Sequence, residues 1–99
     1  MISFLFACNN KYDTIIKNGL IYDGNGGAPY KADLAIKNDT IAFIGDLSKE
    51  SATHIIDAKG MAVTPGFINM LSWAPTSLIL DGNSQSDIRQ GVTLEVFGE

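Results

Sequence analysis

The sequence has one cysteine and one histidine in 99 residues. With Cys8 alone, an internal disulfide is excluded. With His54 alone, metal chemistry is limited, because zinc sites draw several ligands from His, Cys and carboxylate side chains. No Lys or Arg cluster occurs, which argues against a nucleic-acid partner, since phosphate binding needs concentrated positive charge. The net charge of -4 is mild and says little more than that the chain is soluble. The apolar opening "MISFLFAC" is far too short to span a bilayer.

Hydrophobic residues make up 45% and charged residues 18%, the composition of a folded domain with a modest core. "LFAC" resembles the bacterial lipoprotein box, in which a lipidated cysteine becomes the mature N-terminus. On that reading residues 1–11 are a signal remnant and tether, Cys8 is the lipidation site, and the protein sits in a bacterial cell envelope or periplasm. The plain alternative is an ordinary thiol in a buried or frayed N-terminal segment of a cytoplasmic protein.

From residue 12 the pattern is β-rich. Thr14 to Lys17 and Leu20 to Tyr22 are two short runs around Asn18-Gly19, a strong hairpin signal. Gly24 to Gly27 form a glycine loop. No helix follows it, so it reads as a turn and not a phosphate cradle. "YKADLAIKND" alternates with period two, Asn38-Asp39 is a turn, and "TIAFIG" is a strand. "DLSKESATH" reads as a polar loop. "HIIDAKG" and "MAVTPG" supply two more strands around Ala58 to Gly60. Residues 12–66 are therefore expected to form a small β-sandwich or partial barrel.

After Pro65-Gly66 the character changes. "FINML" reads as a strand buried on both faces. "SWAPTSLILDGN" reads as irregular, with Pro75 blocking a helix interior. "NSQSDIRQG" is a short helix, capped by Asn83 or Ser84 and stopped by Gly91. "VTLEVFG" is a second strand. Strand, helix, strand is the opening βαβ unit of a parallel α/β sheet. One such unit leaves its faces uncovered, and a barrel of eight takes about 250 residues. The 99 residues are thus expected to belong to a longer protein, and to be only marginally stable and without hydrolytic activity alone.

The "NG…DG" pair, "ADLAIKNDTIAFIG" and "IDAKGMAVTPGFIN" occur in the order found at the N-terminus of the amidohydrolase superfamily. "DGNGG" and "SDIRQGVTLEVFGE" are most similar to the N-acyl-D-amino-acid deacylases (D-aminoacylases). The resemblance covers residues 12 to 99. It implies a mixed β plus α/β fold: N-terminal β-sandwich strands leading into the first βαβ unit of a (β/α)8 barrel, which starts at residue 67 and is incomplete here. It implies hydrolysis of a non-peptide C–N bond, on a small N-acyl amino-acid substrate, by water activated on zinc or another divalent metal.

The resemblance also exposes a departure. After Pro65-Gly66-Phe67-Ile68 the family pattern is Asp, any residue, His, any residue, His. Asn69, Leu71 and Trp73 stand at those three positions, and neither Leu nor indole is a usable ligand. The metal ligands are then expected mostly beyond residue 99, where the deacylase branch would place a cysteine. Glu99, next to that place, and Glu95 are carboxylate candidates, each with the alternative of being solvated or paired. Asn69 is expected to orient groups at the barrel mouth or to be a hydrogen-bonded polar group near a strand end. Trp73 is expected to line a pocket or to pack under the next loop. Ser72 has no visible base, and His54 is expected to be a surface or packing residue. The missing histidine pair leaves a second expectation open: a catalytically inactive relative that serves as a binding or envelope protein.

Overall fold

A computed structural model describes residues 11–73 and 75–98. It divides into two compact units between Thr64 and Pro65. Each unit is described by itself. Among the described residues no helix is long and apolar enough to cross a membrane.

The first unit is one mixed sheet built around β1 (Tyr12–Ile21). β2 (Tyr30–Lys37) pairs antiparallel with β1, and β3 (Thr40–Gly45) pairs antiparallel with β2. β4 (Ala52–Asp57) and β5 (Ala62–Val63) both run parallel to β1. The order is β3-β2-β1-β4, with β5 also on β1. The expected sandwich is thus a sandwich-like sheet, with a single five-stranded layer among the described residues.

The β2–β3 turn is where the sequence places it. Asn38 and Asp39 have φ of 49° and 60°, the pair of left-handed conformations that a two-residue hairpin turn requires. Asp13 on β1 fastens this turn by accepting the Asn38 N–H at 2.8 Å and the Lys37 ammonium at 2.9 Å.

Asn18-Gly19 does not turn the chain. β1 runs straight through it as one strand, so the expected hairpin is absent. The register passes from Ile16↔Leu34 to Gly19↔Ala32, leaving Lys17 and Asn18 opposite Asp33 alone. This is a β-bulge, which also needs a left-handed residue; Asn18 supplies it with φ of 56°. The bulged strand stays paired on both sides because the displaced polar groups find partners. Asp33 Oδ1 accepts the Asn18 N–H at 2.9 Å, the Asn18 carbonyl accepts the Gly60 N–H at 2.8 Å, and the Asn18 amide donates to Asp57 Oδ1 at 2.9 Å. Gly19 is required for a second reason: a Cβ there would sit 2.8 Å from Val63 Cγ2.

Burial reaches both faces of this sheet, since Leu34 and Ala35 are adjacent on β2 and both buried, and one core cluster stands out. Tyr12, Ile15, Ala35 and Leu47 form it, with Ala52 packed alongside. Ile15 and Leu47 are the largest fully enclosed side chains, each contributing about 2 kcal/mol of apolar burial. Leu47 arrives from the loop after β3, and Asp33 Oδ2 accepts its N–H at 3.2 Å. Asp33 therefore ties the bulge to the residue that caps the core.

The exposed carboxylates of this unit give it an acid limit. The Asn38 N–H, then the Lys37 ammonium, hold Asp13 below the usual carboxylate range, and the Asn18 amide, then the Lys59 N–H, do the same for Asp57. A group whose folded pKa is depressed adds stability above its unfolded pKa, about 4, and loses it as pH falls through the folded value. The urea midpoint followed by far-UV circular dichroism is expected to hold from neutral pH down to about 5 and to drop below about 4. A midpoint that stays level down to about pH 2 would contradict this.

The second unit contains β6 (Phe67–Asn69), α1 (Pro75–Leu80), α2 (Gln85–Ile88) and β7 (Val92–Glu95). β6 and β7 are parallel, which makes the expected βαβ unit. Pro75 opens a helix where the sequence suggested irregular chain. Proline is barred from a helix interior but suits the first helical position, where its missing N–H has no partner to lose. Ser84 caps α2 through its carbonyl, which accepts the Asp87 and Ile88 N–H groups, while its hydroxyl donates to Asp87 Oδ2 at 3.0 Å. Gly91 follows with φ of 81°.

"FINML" is not buried on both faces. Phe67, Ile68, Met70 and Leu71 are all more than half exposed, and the strand covers only Phe67 to Asn69. A parallel strand becomes buried only when helices and further strands cover it. Among the described residues of this unit no apolar side chain is buried.

Candidate functional site

The polar groups of the second unit converge where β6 and β7 end. Asn69 pairs with Glu95 in the register, and the Asn69 carbonyl accepts the Val96 N–H at 2.8 Å. Asn69 Oδ1 then accepts the Leu71 N–H at 3.3 Å, which bends the chain out of the strand. The Ser72 N–H returns to the Val96 carbonyl at 3.1 Å. Leu71 and Trp73 therefore stand beyond the strand, and strand alternation does not set their direction.

These bends shape a hollow of about 470 Å³ at the strand ends. Met70, Leu71, Trp73, Val96 and Phe97 supply its apolar wall, and among the described residues none that lines it is charged. Trp73 is 85% exposed, so its indole stands on the rim and is not packed under the next loop. Asn69 does not line the hollow; it sets the bend that places Leu71 there.

Ser72 is buried, and its hydroxyl donates to Glu95 Oε2 at 2.6 Å. Of the two strand-end residues considered separately in the sequence, one is the other's partner. Their meeting depends on the register that sets Asn69 beside Glu95, which the expectation of parallel strands does not fix. The neighbouring Asp87 is held below the usual carboxylate range by the hydroxyls of Ser86 and Ser84, with a smaller contribution from Glu95. The Ser72–Glu95 bond fastens the segment that carries Leu71 and Trp73 to β7. A hydrogen bond to a charged group contributes about 2 kcal/mol, so Ser72→Ala is expected to loosen the bend by about that amount. Amide exchange at Leu71 to Trp73 should then rise; unchanged protection would mean that the backbone bonds suffice.

The other sequence candidates lie elsewhere. His54 is exposed on β4, paired in register with Thr14. Cys8 and Glu99 lie outside the described residues. Among the described residues no three His, Cys, Asp or Glu side chains gather to hold a metal. The donor set of the described residues therefore does not fit a metal ion by itself. A cleft of about 570 Å³ in the first unit is lined by Asn18 and Asp33 at the bulge, but the Asp33 oxygens are already committed to the Asn18 and Leu47 N–H groups.

The chain thus combines a β module with a parallel βαβ unit that has a hollow at its strand ends, and comparison with known proteins finds amidohydrolases that are similar to it. No family profile matches the chain. D-aminoacylase from Alcaligenes xylosoxydans xylosoxydans is 36% identical over 87 residues, covering 88% of this chain and 18% of that protein. An N-acyl-D-glutamate deacylase from Bordetella bronchiseptica, solved with zinc and a phosphonate mimic of the tetrahedral intermediate, superposes with a TM-score of 0.81 at 34% identity. That match covers 91% of this chain and 19% of the deacylase. A D-aminoacylase structure, described as defining a novel subset of amidohydrolases, matches with a TM-score of 0.79. The chain is a homologue of the D-aminoacylases and N-acyl-D-glutamate deacylases, matching their N-terminal domain. It spans less than a fifth of the length of these relatives.

Proposed function

We propose that this chain is the N-terminal part of an amidohydrolase that cleaves N-acyl amino acids, of D configuration, at the amide C–N bond. The similarity to deacylases across 88% to 91% of the chain carries this reading. A bound divalent metal would supply an activated water, and its ligands would come from parts of the parent protein outside these residues. This chain would contribute the β module and the wall of the substrate hollow, with Ser72 and Glu95 holding that wall.

Leu71 and Trp73 are compatible with activity on this reading. The binuclear centre of D-aminoacylase is described as activated by one metal and attenuated by the second. A parent lacking the histidine pair would work with the activating metal alone. Metal analysis of the full-length protein should therefore find close to one equivalent, and N-acyl-D-amino acids should release free amino acid. Metal-free protein without turnover would sink the proposal.

The same two residues favour a second reading, a non-catalytic binding or envelope protein on this scaffold. It predicts apolar residues at the remaining ligand positions of the parent and no turnover. Envelope location belongs to either reading through lipidation of Cys8. An intact-mass measurement on membrane-associated protein tests it, and an unmodified thiol on soluble protein ends it.

A further inference from the structure

We propose that the hollow at the ends of β6 and β7 receives the hydrocarbon chain of the N-acyl group, and that Leu71 and Trp73 set a preference for long acyl chains. This rests on the deacylase reading above and deepens it. An N-acyl amino acid has two chemically unlike ends, a carboxylate and an acyl chain. The carboxylate needs a cation or a set of N–H donors. No Lys or Arg lines the hollow, and Arg89, the single Lys or Arg residue of the second unit, sits on the C-terminal side of α2, bonded to Gln85. The wall is instead mostly Met70, Leu71, Trp73, Val96 and Phe97, with Ser72 and Thr76 as its uncharged polar side chains, and its apolar part rewards burial of methylene groups.

Position and size agree with this occupant. Ligands of parallel α/β sheets bind outside the carboxyl ends of the strands, which is where the hollow lies. Its volume of about 470 Å³ falls within the range of small-molecule sites. The Asn69 bend and the Ser72–Glu95 bond hold the Leu71 to Trp73 segment open, so the wall is formed before a ligand arrives. Where the resemblance implies metal-binding histidines, this chain carries side chains suited to an alkyl group.

The test is binding to the full chain, read through Trp73, its single tryptophan. N-octanoyl-D-alanine should shift the Trp73 emission to the blue and saturate, and each methylene removed should weaken binding about fourfold. N-acetyl-D-alanine should give no saturable shift. Leu71→Gln should weaken octanoyl binding about tenfold. Ile79→Gln, a change at a more exposed residue of α1 that does not line the hollow, should leave it unaltered. Equal responses to the two acyl lengths, or unchanged binding in Leu71→Gln, would overturn the inference. So would a blue shift that follows protein concentration and not ligand, because a second copy would then fill the hollow. The readout needs no turnover. Acyl binding without hydrolysis by the parent removes the deacylase reading and keeps this inference, whereas hydrolysis indifferent to acyl length does the reverse.

Discussion

Asp33→Ala is expected to destabilise the β module by about 3 kcal/mol, since it strips a charged acceptor from two backbone N–H groups at once. Those groups belong to Asn18 in the bulge and Leu47 over the core. The Asn18 N–H lies where the bulge interrupts the ladder, and the Leu47 N–H lies in the loop after β3. Asp33→Asn keeps one acceptor oxygen and should cost clearly less. Far-UV circular dichroism in urea separates the cases, with an unchanged slope and a lowered midpoint for the alanine variant. A loss under about 0.5 kcal/mol would show that water substitutes for the carboxylate.

Ile15→Ala comes next, with an expected cost of about 3 kcal/mol. Ile15 is fully enclosed on the central strand, between Ala35 on β2 and Ile55 on β4 in the register, and under Leu47. Strands on both sides fix its surroundings, so the cavity cannot collapse easily, and the cavity contribution adds to the lost transfer energy. Ile15→Val should cost about 1 kcal/mol, and Ile55→Ala, at a site 58% exposed, under about 1 kcal/mol. Similar losses at Ile15 and Ile55, which are register partners on the same face, would show that cover over β1 does not set the cost.

Local chemistry was legible wherever one residue's conformation decided the outcome. Asn38-Asp39 tolerates two left-handed residues, and the chain turns there. Asn18-Gly19 carries the same signal, but a left-handed Asn also makes a bulge. What selects between the two is Asp33, fifteen residues away, whose carboxylate satisfies the displaced N–H. Pro75 was misjudged for a related reason: its exclusion from helix interiors says nothing against the first turn. The apolar run Phe67 to Leu71 signals burial, yet burial depends on covering elements that these residues do not supply. At the site, the absence of the histidine pair was plain from Leu71 and Trp73. The Ser72–Glu95 bond was not, because it requires the parallel register that sets Asn69 beside Glu95.

β1 has a further consequence, for the order in which the sheet assembles. Its antiparallel partner β2 follows it closely in the chain, and β3 follows β2 through a two-residue turn. β4 and β5 dock on its other side only by pairings such as Thr14↔His54 and Leu20↔Ala62, about forty residues apart, and such distant contacts are slow to close. The β1–β2–β3 meander should thus form early, with one side of β1 still unpaired. Lys17 and Asn18 would then wait for the N–H groups of Ala58 and Gly60, so the Asn18 bulge completes its hydrogen bonding in the last step of folding.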